Sequence, residues 1–469
     1  MLNNRTIKVM LLFTWATTCF SCKKFLDFQP RDFMFEKEVF SKPEGVHAAL
    51  NGIYQLMGSL ELYGRDLTLY AVDLMGQLYD KSESAYSPEG RLQSYDYTSV
   101  WVKQRFSSIW TSAFKTIRNV NNFCAQLEQP SFSTVSEAEK NSLLGEAYAI
   151  RGMLYLDLLR LFGPAPGTGN NKPCIPYVTT VDFKTQPLLP GTQIMDSVMK
   201  DLSKAAMFLK SDLALSDSSR DSRKWRLNYF AVKTLQARAN LYAGKNEAAW
   251  QIVLDIQDRA NEAFPWMASV DAAKADPVFF AESFWGVENK KLYDVYRQTF
   301  NPMLTEDSIL APATTKFNSV YDNVNDYRGA GWFKPGANGN KNYNVFVRYS
   351  DDVVTNTNHS FFQPLIRKAE LMLIGAETAP DLATGYRLLN DLRLNRGLPP
   401  IAQQDSRTQL LSDILQEYQR EFWGEGQLFF LFKRRNLYYI PDAETNSFSV
   451  SMNPANYQVP IPEQETLYR

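Results

Sequence analysis

Histidine is scarce in this 469-residue chain, which contains only His47 and His359. Histidine-based catalytic triads need an imidazole beside the nucleophile, and many zinc sites use several histidines. Two histidines so far apart in the sequence argue against both kinds of site. The chain also lacks a phosphate-binding glycine loop, a pair of CxxC motifs and a GxSxG motif. The sequence therefore gives no indication of a cofactor or a metal.

Cysteine is scarce as well, with four residues in the chain. Cys19 and Cys22 lie in the N-terminal segment, so only Cys124 and Cys174 remain for the rest of the protein. In an exported protein two such cysteines either form a disulfide or stay as free thiols. The sequence leaves both possibilities open.

An excess of charge of either sign is absent, because 50 Lys and Arg residues are balanced by 51 Asp and Glu residues. Nucleic-acid-binding proteins usually carry a basic patch, so we expect no nucleic-acid partner. Charged residues make up 22% and hydrophobic residues 45% of the chain. These values are typical of globular proteins. No part of the chain after the N-terminal segment therefore needs to be a membrane span.

The N-terminal segment has the layout of a secretory signal, with Arg5 and Lys8 before a mostly apolar run over 9–20. The run is shorter than the roughly 20 residues of a membrane-spanning helix. A small residue, Ser21, directly precedes Cys22, which resembles the lipobox of bacterial lipoproteins, although Cys19 stands where leucine is usual. An ordinary signal peptide is the alternative. We predict a signal peptide over 1–21 and lipidation of Cys22.

Apolar residues at helical spacing predict a mainly α-helical fold. One helix is expected after Pro43, and others over 142–163 and 192–210. Two helix–turn–helix pairs, over 226–260 and 364–395, resemble divergent tetratricopeptide units. The pairs lie about 140 residues apart, which favours helix pairs embedded in one fold over a regular solenoid. Positions predicted to lie in the core are Leu154, Leu373, Trp110, Tyr155 and Tyr242.

The segment 264–360 has a different composition, with many Pro, Gly and Asn residues and scattered aromatic residues. This pattern predicts long loops with short strands. Long loops in a compact protein are more often functional than idle, so we expect this segment to contribute to a binding site.

Two glutamates near the C-terminus, Glu421 and Glu425, lie four residues apart and would share one face of a helix. A pair of carboxylates is the catalytic equipment of glycosidases. Arg420 and the basic residues 433–435 nevertheless offer these carboxylates structural partners. We interpret the pair as structural and predict that the protein is not an enzyme, with glycoside hydrolysis as the alternative.

Eight segments, taken in order, resemble the SusD/RagB family of nutrient-binding outer-membrane lipoproteins. The family's Glu-Gly-x-Arg-x-x-Asp pattern is altered at 425–431, where Leu428 and Leu431 replace both charged residues. Such a joint loss suggests an apolar contact in place of an ion pair. The segments are CKKFLDFQP (22–30), SKPEGVHAALNGIYQLM (41–57), WTSAFKTIRNVNNF (110–123), EAYAIRGMLYLDLLRLFGPAP (146–166), PLIRKAELMLIGAE (364–377), LLNDLRLNRGLP (388–399), YQREFWGEGQLFFLFKR (418–434) and NPANYQVPIPEQE (453–465).

The resemblance implies a single SusD-like domain over 22–469. Tetratricopeptide-like helix pairs at about 36–263 and 361–435 would form its scaffold, and 264–360 would be a loop-rich insertion. It also implies a lipid-anchored protein on the outer face of the outer membrane. Such a protein would bind a nutrient glycan or oligosaccharide and deliver it to a SusC-like TonB-dependent transporter. Family relatives also import peptides, so a peptide ligand remains an alternative.

The resemblance places a ligand loop at 77–97, a polar segment without helical periodicity. Sugar rings stack on aromatic faces while their hydroxyl groups bind amides and carboxylates. The alternative for each ring is that it packs against its own loop. The residues predicted to bind the ligand are Tyr79, Tyr86, Arg91 and Tyr95, with Asp80 and Gln93 as polar neighbours and Phe284, Trp285 and Trp332 as a second wall.

Overall fold

Helices dominate the part of the chain that the computed structural model describes, namely residues 36–81, 86–169, 171–182, 184–214, 217–267, 269–351 and 359–467. Contacts divide the chain into two units, Met1–His47 and Ala48–Arg469. In the first unit the structure describes helix α1 and the first turn of helix α2. The predicted signal peptide and Cys22 lie outside the described residues, so both remain predictions.

The helices are numbered in chain order. They are α1 (Glu36–Val39), α2 (Pro43–Met57), α3 (Ala71–Met75), α4 (Pro88–Gln93), α5 (Val100–Leu127), α6 (Glu137–Phe162), α7 (Gly191–Phe208), α8 (Asp217–Arg223), α9 (Tyr229–Tyr242), α10 (Asn246–Ala263), α11 (Val270–Ala275), α12 (Leu292–Thr299), α13 (Thr314–Val320), α14 (Tyr327–Trp332), α15 (Lys368–Thr378), α16 (Leu382–Leu394), α17 (Arg407–Glu421), α18 (Leu428–Arg434), α19 (Pro454–Tyr457) and α20 (Glu463–Leu467).

The described strands are short and form antiparallel pairs. β1 pairs with β2, β3 with β6, β4 with β5, and β7 with β8. Their bounds are β1 (Pro173–Pro176), β2 (Leu188–Pro190), β3 (Ser283–Glu288), β4 (Phe333–Pro335), β5 (Asn344–Phe346), β6 (Phe362–Arg367), β7 (Tyr439–Pro441) and β8 (Phe448–Ser451).

Neighbouring helices pack in series and form the scaffold. Helix α6 packs between α5 and α7, α9 packs on α10, and α15 packs on α16, while α10 and α15 join the last two pairs. Small residues permit this approach, because a Cβ atom at Gly375 would lie 2.9 Å from Val253 Cγ1. The α9–α10 turn contains Gly244 at φ +73°. The mainly α fold and the two predicted helix pairs are therefore confirmed.

One predicted helix begins later than its sequence pattern suggested. Residues 362–367 form strand β6, and the helix starts at Lys368. Strand β6 pairs with β3, with Ile366 opposite Trp285. Tertiary pairing has overridden the local apolar pattern here, as it often does for short segments. The prediction of helix over 364–367 was wrong.

The positions predicted to lie in the core are buried, including Trp110, Tyr155 and Tyr242. Tyr155 stacks on Tyr177 with ring centroids 3.9 Å apart. Cys124 and Cys174 are both buried and free, so the alternative of a disulfide between them was wrong. Burial raises the pKa of the Cys124 thiol to about 12 and that of Cys174 to about 11.

Truncating the buried leucines of the scaffold should destabilise the fold. Leu154 on α6 and Leu373 on α15 are almost fully buried. We expect Leu154→Ala and Leu373→Ala each to lower the free energy of unfolding by about 2–5 kcal/mol, because lost burial and a residual cavity add. Urea denaturation followed by circular dichroism measures this change. Leu394→Ala is the matched control, since Leu394 is exposed. Equal stability of the buried and exposed variants would contradict the packing.

Candidate functional site

The pair of glutamates considered as a possible catalytic pair is buried in a network of ion pairs. Arg367 Nη1 donates to Glu421 Oε1 at 2.5 Å, and Arg328 Nη1 donates to Glu421 Oε2 at 2.7 Å. Arg367 Nε also donates to Glu425 Oε2 at 3.0 Å. Burial alone would raise the pKa of Glu421, but Arg396 and Arg367 hold it well below its usual range. A buried carboxylate that stays ionised cannot act as a general acid.

Both carboxylates take part in ion pairs, as the structural interpretation expected, but their partners are Arg328, Arg348, Arg367 and Arg396. The predicted partners were wrong, because Arg420 pairs with Glu417, Arg434 and Arg435 pair with Glu377, and Lys433 donates to backbone carbonyl oxygens.

The second wall of predicted ligand-binding rings is in the core. Phe284, Trp285 and Trp332 each have a relative exposure of 0%. The Phe284 ring packs edge-on against Phe264, and Trp332 Nε1 donates to the carbonyl oxygen of Pro277 at 2.8 Å. A ligand cannot reach these rings, so their assignment as ligand-binding residues is corrected. The prediction of long loops with short strands over 264–360 was incomplete, because this segment also contains helices α11 to α14. These three aromatic residues belong to the core that the segment forms.

Three residues of the predicted ligand loop are buried too. Tyr79 Oη donates to Asp73 Oδ2 at 3.2 Å, Gln93 Nε2 donates to the Tyr79 carbonyl oxygen at 2.6 Å, and Tyr95 Oη donates to the Met75 carbonyl oxygen at 2.7 Å. Their polarity reflects internal hydrogen bonds between side chains and the loop. Tyr79, Gln93 and Tyr95 therefore support the loop and do not offer a surface to a ligand, which corrects the prediction.

Tyr86 and Arg91 do lie at the surface. The Tyr86 side chain is 87% exposed. The guanidinium of Arg91 lies over its ring, 5.1 Å from the ring centroid, and pairs with Asp96 Oδ2 at 2.5 Å. Ser87 caps helix α4 by accepting the N–H of Gly90 at 3.0 Å. Tyr86, just before helix α4, and the partly exposed Arg91 on that helix therefore form a pair at the surface.

Asp80, the remaining predicted residue, lies on the wall of a polar cleft of about 470 Å³. The cleft forms where four segments that are distant in sequence meet. The N–H of Asp80 donates to the Ala311 carbonyl oxygen at 2.9 Å, and the N–H of Lys316 donates to the Glu444 carbonyl oxygen at 3.1 Å. The lining residues are Asp80, Lys81, Glu306, Asp307, Ile309, Ala311, Pro312, Ala313, Thr314, Thr315, Tyr343 and Glu444.

The polar groups of the cleft are held in place by one another. Tyr343 Oη donates to Glu306 Oε2 at 2.5 Å, and Lys341 Nζ lies 2.9 Å from Glu306 Oε1. The hydrogen bond from Tyr343, followed by that from Lys341, lowers the pKa of Glu306. Lys81 Nζ donates to the Asp307 carbonyl oxygen at 2.9 Å. The Glu306 carboxylate is therefore ionised and oriented before a ligand arrives.

Helix α4 lies within electrostatic range of the cleft. Burial lowers the pKa of Lys81, and the nearby carboxylate of Glu89 opposes that effect. Glu89 belongs to the same helix as Arg91, and Tyr70 Oη donates to its Oε1 at 2.5 Å. Glu89 thus links helix α4 electrostatically to Lys81 on the wall of the cleft.

Sequence reasoning missed most of the cleft. Glu306 and Asp307 are neighbours, but Tyr343 and Glu444 come from two other segments, and no local pattern connects the three. The only available signal was the loop-rich composition of 264–360, which contains three of these four residues. Within the described ranges, no group of three or more His, Cys, Asp or Glu residues is arranged to hold a metal ion.

The scaffold and the cleft together define a class of protein, in which packed helix pairs are accompanied by less regular segments that meet at a polar cleft. Comparison with known families agrees. A profile described as starch-binding and associating with the outer membrane matches residues 24–241, and the SusD family profile matches residues 270–466. The chain belongs to the SusD/RagB family.

Among the described residues, none of the helices has both the length and the apolar character needed to span a membrane.

Individual relatives are distant. A SusD-like protein of Formosa agariphila is 24% identical over 262 residues, which are 52% of this chain and 45% of the relative. The match thus spans less than half of that relative's length. A SusD-like carbohydrate-binding protein of Bacteroides vulgatus superposes with a TM-score of 0.71 at 20% identity, covering 91% of this chain and 96% of that one. A laminarin-binding SusD-like protein superposes with a TM-score of 0.67 at 16% identity, covering 91% of this chain and 97% of that one. These structures show the fold.

Proposed function

We propose that this protein binds a nutrient glycan or oligosaccharide in the polar cleft, without cleaving it, and delivers it to a SusC-like TonB-dependent transporter. The observation that carries the proposal is the pre-oriented Glu306 carboxylate beside the half-buried Tyr343 ring. Carboxylate oxygens accept hydrogen bonds from sugar hydroxyl groups, and an aromatic face stacks on the apolar face of a sugar ring. The family's description as starch-binding supports this class of ligand.

The proposed site extends from the cleft to helix α4. Asp80, Asp307 and Glu444 supply further acceptors on the cleft wall. Tyr86 supplies an exposed ring, and Arg91 supplies N–H donors beside it. A groove with several fixed polar groups loses less entropy on binding than a mobile one.

Substitution of Glu306 tests the site. In native gels that contain laminarin or soluble starch, we expect the purified full chain to be retarded and to release no new reducing ends. Glu306→Ala should weaken binding by about 10- to 100-fold, because a hydrogen bond to a charged group contributes about 1.5–3 kcal/mol. Asp294→Ala is the matched control, since Asp294 is exposed and its partner is Arg297, outside the cleft.

Three outcomes would count against the proposal. Unchanged affinity of Glu306→Ala would place the ligand elsewhere. New reducing ends would favour glycoside hydrolysis. If neither polysaccharide retarded the protein and a mixture of oligopeptides bound to it, the peptide alternative would be favoured, because carboxylates also accept hydrogen bonds from amines.

We also propose that Cys22 carries the lipid anchor and that this is the only membrane attachment, with the protein exposed on the outer membrane. Several acyl chains on one cysteine anchor firmly where a single chain does not. Cys22→Ala should abolish incorporation of labelled fatty acid in cells that express the full chain. Cys19→Ala, the control three residues upstream, should leave incorporation intact. Normal labelling of Cys22→Ala would refute the assignment.

A further inference from the structure

A second cavity, of about 700 Å³, shares no lining residue with the cleft. It lies between the second half of helix α2, the segment after helix α8, the end of strand β3 and the residues before strand β6. Side chains of both aromatic and polar character line it, among them Trp225, Phe361, Arg226, Asn51, Gln55 and Glu288. Its volume is within the range of small-molecule sites.

Two aromatic rings form the apolar part of this cavity. Trp225 is half-buried, and its ring packs edge-on against Phe362 with centroids 4.9 Å apart. Phe361 is also half-buried, and its ring lies 4.8 Å from that of Tyr293. Each ring is therefore supported from behind by another ring while part of its own surface remains accessible.

The backbone at Phe361 is strained. Its φ is +64°, in the left-handed region that bulky residues rarely adopt. The N–H of Asn289 donates to the Phe361 carbonyl oxygen at 2.8 Å, and Asn289 Nδ2 donates to the Gly64 carbonyl oxygen at 2.8 Å. These contacts hold the strained conformation. Strain of this kind concentrates at binding sites, where it positions a side chain for a ligand.

The polar part of the cavity is fixed and close to neutral. Arg226 Nε donates to Glu146 Oε2 at 2.7 Å, and its Nη1 donates to Asn51 Oδ1. The Arg226 guanidinium also lies over the Tyr54 ring, 4.6 Å from the centroid. Glu146 also accepts from Arg223 Nη1 at 2.7 Å, and Arg223 Nη2 donates to Asp212 at 3.0 Å. Two carboxylates thus balance the two guanidinium groups, so the cavity offers little attraction to an anion. Exposed Gln55 and Glu288 at its rim offer hydrogen-bonding groups that suit hydroxyl groups.

We propose that this cavity is a second saccharide-binding site, which takes one or two units of a neutral oligosaccharide independently of the cleft. This inference takes the class of ligand, a saccharide, from the proposed function, whereas the location of the site rests on the cavity itself. Two supported aromatic rings beside fixed, nearly neutral polar groups provide the chemistry that a sugar requires.

Phe361→Gly tests the site without adding strain, because glycine adopts a positive φ freely. Isothermal titration of the full chain with maltoheptaose and with laminarihexaose should show two sites on the parent for the oligosaccharide that binds. Phe361→Gly should weaken only the cavity site, by about tenfold, and Glu306→Ala should weaken only the cleft site, by about 10- to 100-fold. Trp225→Ala should weaken the cavity site by about tenfold through loss of a stacking ring. Thermal melting of each variant checks that it is folded.

The outcomes separate this inference from the proposed function. One site on the parent, lost in Glu306→Ala and unaffected by Phe361→Gly, would overturn the second site and leave the cleft proposal standing. Two sites that both keep the affinity of the parent in folded Phe361→Gly and Trp225→Ala would also overturn it. If the parent bound neither oligosaccharide, both the cleft proposal and the second site would be overturned.

Discussion

Arg367→Met is expected to lower the free energy of unfolding by about 3–5 kcal/mol, because it removes one cation that three buried carboxylates share and leaves their charge only partly compensated. Arg367 is fully buried and donates to Glu421, Glu425 and Glu282. Methionine has a similar length but no donor. Each carboxylate would keep part of its charge in a site that water does not reach. Chemical denaturation of parent and variant measures the loss.

The network in which Arg367 takes part joins the loop insertion to the helical scaffold. Arg328 on α14 binds Glu421 on α17, and Arg348, after β5, donates to Glu425 Oε1 at 2.7 Å. The insertion carries Glu306 and Tyr343, so this network supports the cleft. The residues of the network are Arg328, Arg348, Arg367, Arg396, Glu282, Glu417, Glu421, Glu425 and Asp326.

The matched control is Arg297→Met. Arg297 is exposed and pairs with Asp294 and Asp351. Exposed pairs contribute little to stability, since water screens both charges. We expect this variant to resemble the parent. If Arg367→Met were as stable as Arg297→Met, the buried network would not hold the insertion in place.

Glu377→Gln is expected to cost about 3 kcal/mol at neutral pH, on the scale of about 1.4 kcal/mol per pKa unit. Arg434 donates to both oxygens of Glu377, at 2.6 and 2.8 Å, and Arg435 Nη2 donates to Oε2 at 2.9 Å. Burial would raise the pKa of Glu377, but the two guanidinium groups lower it from 4.5 to about 2. These contacts tie helix α15 to the C-terminal end of helix α18.

The sign of the pH dependence follows from that shift. The folded pKa is lower than the unfolded one, so the stabilisation is complete above about pH 4.5 and is lost as pH falls towards 2. The difference in unfolding free energy between parent and Glu377→Gln should therefore shrink over this window. Denaturation series at several pH values measure it, with exposed Glu247→Gln as the control. A difference independent of pH would contradict the assigned cause.

Periodic apolar residues predicted the scaffold helices. Helices α7 and α10 bury one stripe of their sequence, whereas α9 and α15 are buried on nearly every side. Helices α9 and α10 and the turn at Gly244 lie where the pattern indicated. Leu428 and Leu431 are both buried, and the apolar contact that we predicted in place of an ion pair stays a prediction. Strand β6 was missed because its conformation depends on β3, about 80 residues earlier in the chain.

The site could be predicted only in part. Trp285 and Trp332 differ from an exposed ring such as Tyr86 only in tertiary packing, which composition does not record. The cleft brings Asp80 and Glu444 to one wall across most of the chain length. No local spacing relates such residues, so the sequence could indicate a loop-rich binding region without identifying the side chains that line it.

The central claim is that the cleft binds a glycan and leaves it intact, and a crystal structure with bound oligosaccharide tests it most directly. The full chain would be crystallised with an oligosaccharide fragment of whichever polysaccharide, laminarin or starch, retards it in the gel. The account predicts an intact oligosaccharide in the cleft, with a hydroxyl group about 3 Å from the Glu306 carboxylate and a sugar ring against Tyr343. An empty cleft at saturating oligosaccharide, or cleaved sugar within it, would contradict the account.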